Sequence, residues 1–206
     1  MILYVGSRRY SSWSLRPYLA LAHSGLPFET RTILLDQADS KANILAASPS
    51  GKVPVLHDGT LVIQDSLAIC EYVAELAPAL WPAERVARAR ARAISSEMHA
   101  GFPALRRDMS MKIGDHKPHE GHTPEALVDA SRVIEIWHEQ LAASGGPFLF
   151  GAFTIADAMY APVTARFVTY GVELDTTARA YVDAIAALPA MQRWVADAAT
   201  EPRTRP

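Results

Sequence analysis

The sequence predicts a two-part α/β protein: an N-terminal unit on a four-stranded mixed sheet in the order βαβαββα, then an all-helical remainder. Three observations predict it. Short apolar or β-branched runs alternate with helix-period segments as far as Pro78. The dipeptide Asp58-Gly59 lies between two such runs with the chemistry of a tight hairpin turn. Beyond Pro82 strand signals nearly vanish, and Ala- and Arg-rich helical patterns take over.

Taken in order, Ile2–Val5 is an apolar run closed by Gly6 and reads as a buried strand. Leu15, Tyr18, Leu19 and Ala22 recur at helical spacing between Trp13 and His23; Gly25 offers a C-terminal cap and Pro27 a stop. Phe28–Leu34 is a second strand, Ser40–Ala47 a weaker helix, and Val53–Leu56 with Leu61–Ile63 the two arms of the hairpin. Asp65–Leu76 is a helix ended by Pro78, and 78–82 reads as a linker. A βαβ unit wants parallel strands and a following hairpin adds antiparallel ones, hence the mixed sheet. In the remainder, Ala83 to about Ile113 reads as one long helix, Gly114–Thr123 as a loop, and Pro124–Ala143 as a helix broken by Gly145-Gly146-Pro147. Thr154–Val168 and Thr176–Ala187 follow, with a last helix from Leu188-Pro189. The expected domains are therefore 1–78 and 83–206.

Composition narrows the function. The formal charge is −2 over 206 residues, which gives no basis for a nucleic-acid or anionic-membrane partner. No apolar run approaches the roughly 20 residues of a membrane helix. The start, MILYVGS, has no basic segment followed by a long apolar one, so we expect no secretory signal and a cytoplasmic location. A single cysteine, Cys70, rules out an internal disulfide framework and any multi-cysteine metal site.

Three segments carry chemistry, each with a plain structural alternative. In Ser50-Gly51-Lys52-Val53-Pro54-Val55-Leu56 a proline enters a strand. It is either an ordinary trans proline at a strand start, or a cis one that turns the Val53 backbone N–H and C=O into a cleft, ready for a peptide-like ligand. In Ile63-Gln64-Asp65-Ser66-Leu67, Asp65 and Ser66 open a helix. They either cap it, or present free N–H groups to a carboxylate with an acid beside it for an ammonium. In Tyr10-Ser11-Ser12-Trp13-Ser14-Leu15-Arg16-Pro17 the serines either cap a helix or donate a hydrogen bond to a bound thiolate, which the helix N-terminus also favours.

All three fall at one end of the expected sheet. Together SSWSLRPYLAL, SGKVPVL, IQDSLAI and the helical remainder resemble the cytosolic glutathione transferases over essentially the whole chain. The Ser-Ser start and EMHAGFPALR, Glu97–Arg106, look like zeta-like bacterial members. The resemblance implies a thioredoxin-like N-terminal domain that binds glutathione as co-substrate, with no metal, and a homodimer. It makes Ser11 or Ser12 the thiol-activating hydroxyl, Ser11 preferred as the first of the pair. It places Lys52, Val53 and a cis Pro54 on the cysteinyl unit, and Asp65 and Ser66 on the γ-glutamyl end. Met98, Phe102, Leu105 and Met109 recur at helical spacing and read first as core or dimer packing; the resemblance lets Met98, Phe102 and Met109, with Trp13, line a pocket for a small apolar electrophile. Its activity would be transfer, or isomerisation of the maleylacetoacetate type, or binding without catalysis. The zeta pattern has cysteine where this chain has Trp13, and the family commonly has Glu or Gln where it has Asp65.

Other residues have structural readings. Thr154-Ile155-Ala156-Asp157 is a capping-box pattern using Asp. Arg85, Arg88, Arg90 and Arg92 form a solvated or interface face, and Cys70 reads as core. His116, His119 and His122 have no carboxylate or cysteine to complete a metal set and read as loop histidines.

Overall fold

In the computed structural model, which describes residues 1–204, the sheet has the order β2-β1-β3-β4. Strand β1 (Ile2–Gly6) runs parallel to β2 (Glu29–Ile33) and antiparallel to β3 (Val55–Asp58), which pairs antiparallel with β4 (Leu61–Gln64). Helix α1 (Ser12–Ser24) makes the parallel crossover, α2 (Ser40–Ala47) follows β2, and α3 (Ser66–Leu76) follows the hairpin. The hairpin turn is two residues long because Gly59 takes φ 59°, a left-handed conformation glycine adopts without a side-chain clash. The ladder on β3 starts at Val55 and not at Val53, since Pro54 has no N–H to give it.

After a short 3₁₀ turn at Pro78–Leu80 the chain is helical: α4 (Arg85–Ala100), α5 (Pro103–Asp108), α6 (Pro124–Ser144), α7 (Ile155–Tyr170), α8 (Thr176–Ala187) and α9 (Pro189–Thr200). The single helix expected from Ala83 to Ile113 is therefore two, with irregular chain after Asp108. Gly101-Phe102-Pro103 causes the break. The residue before a proline is driven out of the helical region, and Phe102 takes φ 61°. The Gly101 N–H closes α4 on Glu97 O at 2.8 Å, and a Cβ on Gly101 would sit 2.7 Å from that same oxygen.

One continuous core runs through both parts, from Leu3, Leu19 and Ile69 under the sheet to Trp137, Tyr160 and Trp194 among the helices. Helix α1 joins them, packing on α3 on one side and on α7 on the other. The N-terminus of α7 is built as a capping box: Asp157 accepts from Thr154 N–H (2.8 Å), Leu149 N–H (3.0 Å), Thr154 Oγ1 (3.1 Å) and Tyr181 OH (3.2 Å). Cys70 is fully buried, and burial pushes its thiol up, so it is an inert core residue. Among the described residues no helix is long and apolar enough to cross a membrane.

Candidate active site

The strand register brings the three segments together. Tyr4 pairs with Val55 and Val55 with Gln64, while Gly6 pairs with Ile33. The loop before α1, the turn before β3, the residues before α3 and the segment after β2 thus leave the sheet at one end. They enclose a cavity of about 650 Å³ lined by Trp13, Leu35, Lys52, Val53, Pro54, Gln64, Asp65 and Ser66, among others.

Its two sides are differently built. The Val53–Pro54 peptide is cis. Asp65 has φ 76°, a left-handed conformation that costs a non-glycine residue about 1–3 kcal/mol and is characteristic of functional sites. Its Oδ1 accepts from Leu67 N–H (2.8 Å) and Ala68 N–H (3.2 Å) and so caps α3. Its Oδ2 lies 3.2 Å from His99 Nε2. Burial holds the His99 imidazole below its ordinary value against the pull of Asp65, with Arg16 and Arg106 adding to the depression. A neutral His99 therefore donates to Asp65 without cancelling its charge. Ser66 Oγ is buried and has no hydrogen-bond partner among the described residues. A buried hydroxyl left unpaired costs about 1–3 kcal/mol, which a polar ligand in this cavity would recover.

A second cavity of about 300 Å³ shares Trp13, Leu35 and Val53 with the first. Tyr10, Ser11 and Ser12 form one wall; Ser110, Met111 and Lys112 form another, with Arg106 and Arg166 completing the lining. The two serines are not equivalent. Ser11 Oγ accepts from Ser14 N–H (3.3 Å) as the N-cap of α1 and donates to Ser14 Oγ (2.7 Å), which in turn accepts from Gly6 N–H (3.0 Å). Ser12, on the first turn of the helix, has its hydroxyl uncommitted to any of these bonds.

The lining includes three cationic side chains and no carboxylate. Burial lowers Arg166 to about 9, with Arg106 adding to the effect. Arg16 lies behind them, fully buried with no hydrogen-bond partner for its guanidinium among the described residues, and is lowered to about 9 by burial, then by Arg106 and Arg166. Arg16 and Arg166 stay charged at neutral pH and so repel one another. Trp13 stands between two of the cationic side chains, its ring 4.4 Å from Arg16 Cζ and 4.9 Å from Arg106 Cζ, with the His99 ring edge-on at 5.2 Å. Such a cavity is suited to an anion.

Of the residues singled out from sequence, Ser11, Ser12, Trp13, Lys52, Val53, Pro54, Asp65 and Ser66 line these two cavities. Met98, Phe102 and Met109 are buried in the core instead and line neither. Sequence reasoning missed Leu35, Gln64, Arg106, Lys112 and Arg166. Arg166, the one basic residue of α7 and buried with it, was the one with a signal to read.

Residues 10–76 match the family described as Glutathione S-transferase, N-terminal domain, and residues 120–197 its C-terminal domain, together more than half the chain. A segment of 106 residues is 36% identical to a probable maleylacetoacetate isomerase of Caenorhabditis elegans, covering 50% of this chain and 49% of that protein. A segment of 76 residues is 37% identical to glutathione S-transferase F10 of Arabidopsis thaliana, covering 36% of this chain and 35% of that one. The chain thus spans about half, or less, of the curated relatives it matches. Two solved structures, each with TM-score 0.74 and 25% identity, match along nearly the full length. One is a glutathione transferase homologue from Burkholderia GL BGR1 with bound glutathione, covering 97% of this chain and 98% of its own. The other is a maleyl pyruvate isomerase, a bacterial glutathione S-transferase in zeta class, covering 100% of both. With the thioredoxin-like sheet, the helical second part and both domain matches in place, the chain belongs to the glutathione S-transferase family.

Proposed function

We propose that this chain binds glutathione in the larger cavity and uses its thiolate on a small, carboxylate-bearing electrophile held in the smaller one. The observation that carries this reading is the shared wall of the two cavities. Serine hydroxyls and the start of α1 face the point where a sulfur would sit, and Arg106, Lys112 and Arg166 line the space beyond it. That lining supports an anionic electrophile, where the sequence alone leads to an apolar one. With the domains taken as 1–78 and 83–206, the first cavity would belong to the sheet and the cationic half of the second to the helices.

Glutathione fits the larger cavity group by group. The ammonium of its γ-glutamyl end meets the Asp65 carboxylate, and the adjoining carboxylate meets Ser66 Oγ and the start of α3. The Val53 backbone, outside the sheet ladder, is left for the cysteinyl amide, with Lys52 beside it. Ser12 Oγ donates to the sulfur while Ser11 caps the helix behind it. This reverses the order that sequence suggests for the two serines. Hydrogen bonding and the helix terminus favour the ionised thiol, which is the nucleophile.

Among the possible reactions, isomerisation of a maleyl-type substrate uses every feature. The thiolate adds to the cis double bond, forming a C–S bond and moving the π electrons onto the adjacent carbonyl as an enolate. The new single bond rotates, the enolate collapses, and the C–S bond breaks to return the thiolate and a trans double bond. Arginine and lysine side chains hold the carboxylates and stabilise the enolate charge. Conjugation would stop at the first step. The chain would act as a homodimer in a reducing cytoplasm. The exposed Leu61, Val62, Leu76 and Val86 on β4, α3 and α4 support an apolar contact there.

The deciding experiment supplies maleylpyruvate and glutathione and follows the ultraviolet change to the trans product, with 1-chloro-2,4-dinitrobenzene as a neutral electrophile for comparison. Turnover of the maleyl substrate is expected. Turnover of the neutral compound alone would overturn the carboxylate assignment.

A further inference from the structure

We infer that Arg9 is a positioning residue that locks together the two walls of the electrophile cavity, the serine loop and the segment 110–115. The inference rests on the reading of that cavity given above, and the latch itself is visible without any ligand. Arg9 is 6% exposed although it belongs to a loop. Its Nη1 donates to Ile113 O at 2.5 Å and lies 3.2 Å from Asp115 Oδ1; its Nη2 reaches Ala198 O, near the end of α9, at 3.4 Å. The backbone closes the same contact from the other side, Ile113 N–H donating to Arg9 O at 3.1 Å. Asp115 is itself held, with Arg203 Nη1 3.3 Å from the same oxygen.

These bonds sit close to the chemistry. Arg9 is two residues before Ser11 and three before Ser12, and the loop is tight, with Tyr10 N–H and Ser11 N–H both donating to Ser7 O at 3.0 and 2.8 Å. Ile113 is the residue after Lys112, and Ser110, Met111 and Lys112 form the opposing wall. A shift of either wall would change the distance between sulfur and substrate, and a misplacement of about 1 Å costs on the order of 100-fold in rate. The chain between the walls accommodates the guanidinium closely. Gly114 has φ 82°, and a Cβ there would lie 3.2 Å from Arg9 Nη1. Asp115 carries the one carboxylate among these contacts, so the latch is charge-assisted, and both side chains are nearly buried, which strengthens such a bond.

The test compares the whole protein with Arg9→Gln and with Asp115→Asn, which keeps the Arg9 bonds to the carbonyls of Ile113 and Ala198. In the free proteins, amide hydrogen exchange is measured at Ser11–Trp13, at Ser110–Asp115 and at Leu67–Ala68. We expect exchange to rise at least tenfold in the first two segments together in Arg9→Gln, with Leu67–Ala68 unchanged. In turnover with maleylpyruvate, the KM for that substrate should rise about tenfold while the KM for glutathione stays within twofold. Asp115→Asn should show the same pattern at smaller size, and it carries the test if Arg9→Gln does not fold. Faster exchange in only one of the two segments overturns the latch. So does a folded variant whose two KM values rise equally. If the wild-type protein leaves maleylpyruvate untouched, the functional reading fails and the exchange result alone decides the latch.

Discussion

Ser11 and Ser12 are neighbours with different duties, and substitution separates them. Ser12→Ala should remove the donor to the sulfur and raise the bound thiol's pKa by about one to two pH units, since a hydrogen bond to a charged group contributes about 1.5–3 kcal/mol. Thiolate absorbance against pH measures it, and an unchanged curve would assign the role elsewhere. Ser11→Ala should instead cost about 1 kcal/mol of stability through loss of the α1 cap. On the far side of the cleft, Ser66→Ala should weaken glutathione binding while relieving a buried unpaired hydroxyl, so KM for glutathione rises and the melting temperature does not fall. Lys112 lines the cavity without being deeply buried. Lys112→Ala should therefore raise KM for maleylpyruvate several-fold and leave turnover of a neutral electrophile unchanged. Equal effects on both substrates would count against carboxylate recognition.

Helices and strands were largely legible in the sequence, and the exceptions have local causes. The hairpin, α1, α3 and α6 follow from turn chemistry, from a cap at Asp65 and from Pro124 in the first turn of α6. The break in the long helix was written in Gly101-Phe102-Pro103 but outweighed by the Ala- and Arg-rich run before it, and the helical spacing of Met98, Phe102 and Met109 is compatible with core and pocket alike. All three are buried in the core, Met98 on the inner face of α4 before the break and Phe102 and Met109 at the two ends of α5. The cationic lining was not legible, because Arg106 and Arg166 come from α5 and α7 and only packing brings them beside Ser12. The capping box at the start of α7 was readable from its spacing, and what burial does to its acid was not. Burial pushes Asp157 up to about 6 from an ordinary 3.8, against its four hydrogen-bond donors. Between those values the folded state holds the proton more tightly than the unfolded chain, so this residue adds stability as pH falls from 7 towards 4 and withdraws it as pH rises. Urea unfolding should show wild-type protein exceeding Asp157→Asn by a wider margin at pH 4.5 than at pH 7, by about 2 kcal/mol. A margin that narrows at low pH would mean the four donors keep the carboxylate ionised.

At the scale of the whole molecule, α1 packs on both α3 and α7, so the glutathione cavity and the helical part share one strut. Ligand binding to the first part should therefore be felt as stability of the whole, about 2.7 kcal/mol at free glutathione near 100 times Kd. A melting temperature unmoved by millimolar glutathione would refute the binding site. Light scattering at micromolar concentration should give twice the 22.5 kDa chain mass; a monomer would remove the proposed contact through β4, α3 and α4. The tryptophans give a last consequence. Trp81, Trp137 and Trp194 are at most 5% exposed, whereas Trp13 is 36% exposed at the boundary of the two cavities and beside two guanidinium groups. The protein's fluorescence is accordingly a built-in gauge of its own cleft. Iodide, drawn in by the local positive charge, should quench the Trp13 share of emission more strongly than a neutral quencher at equal concentration, and filling the cleft with glutathione should shield that share alone.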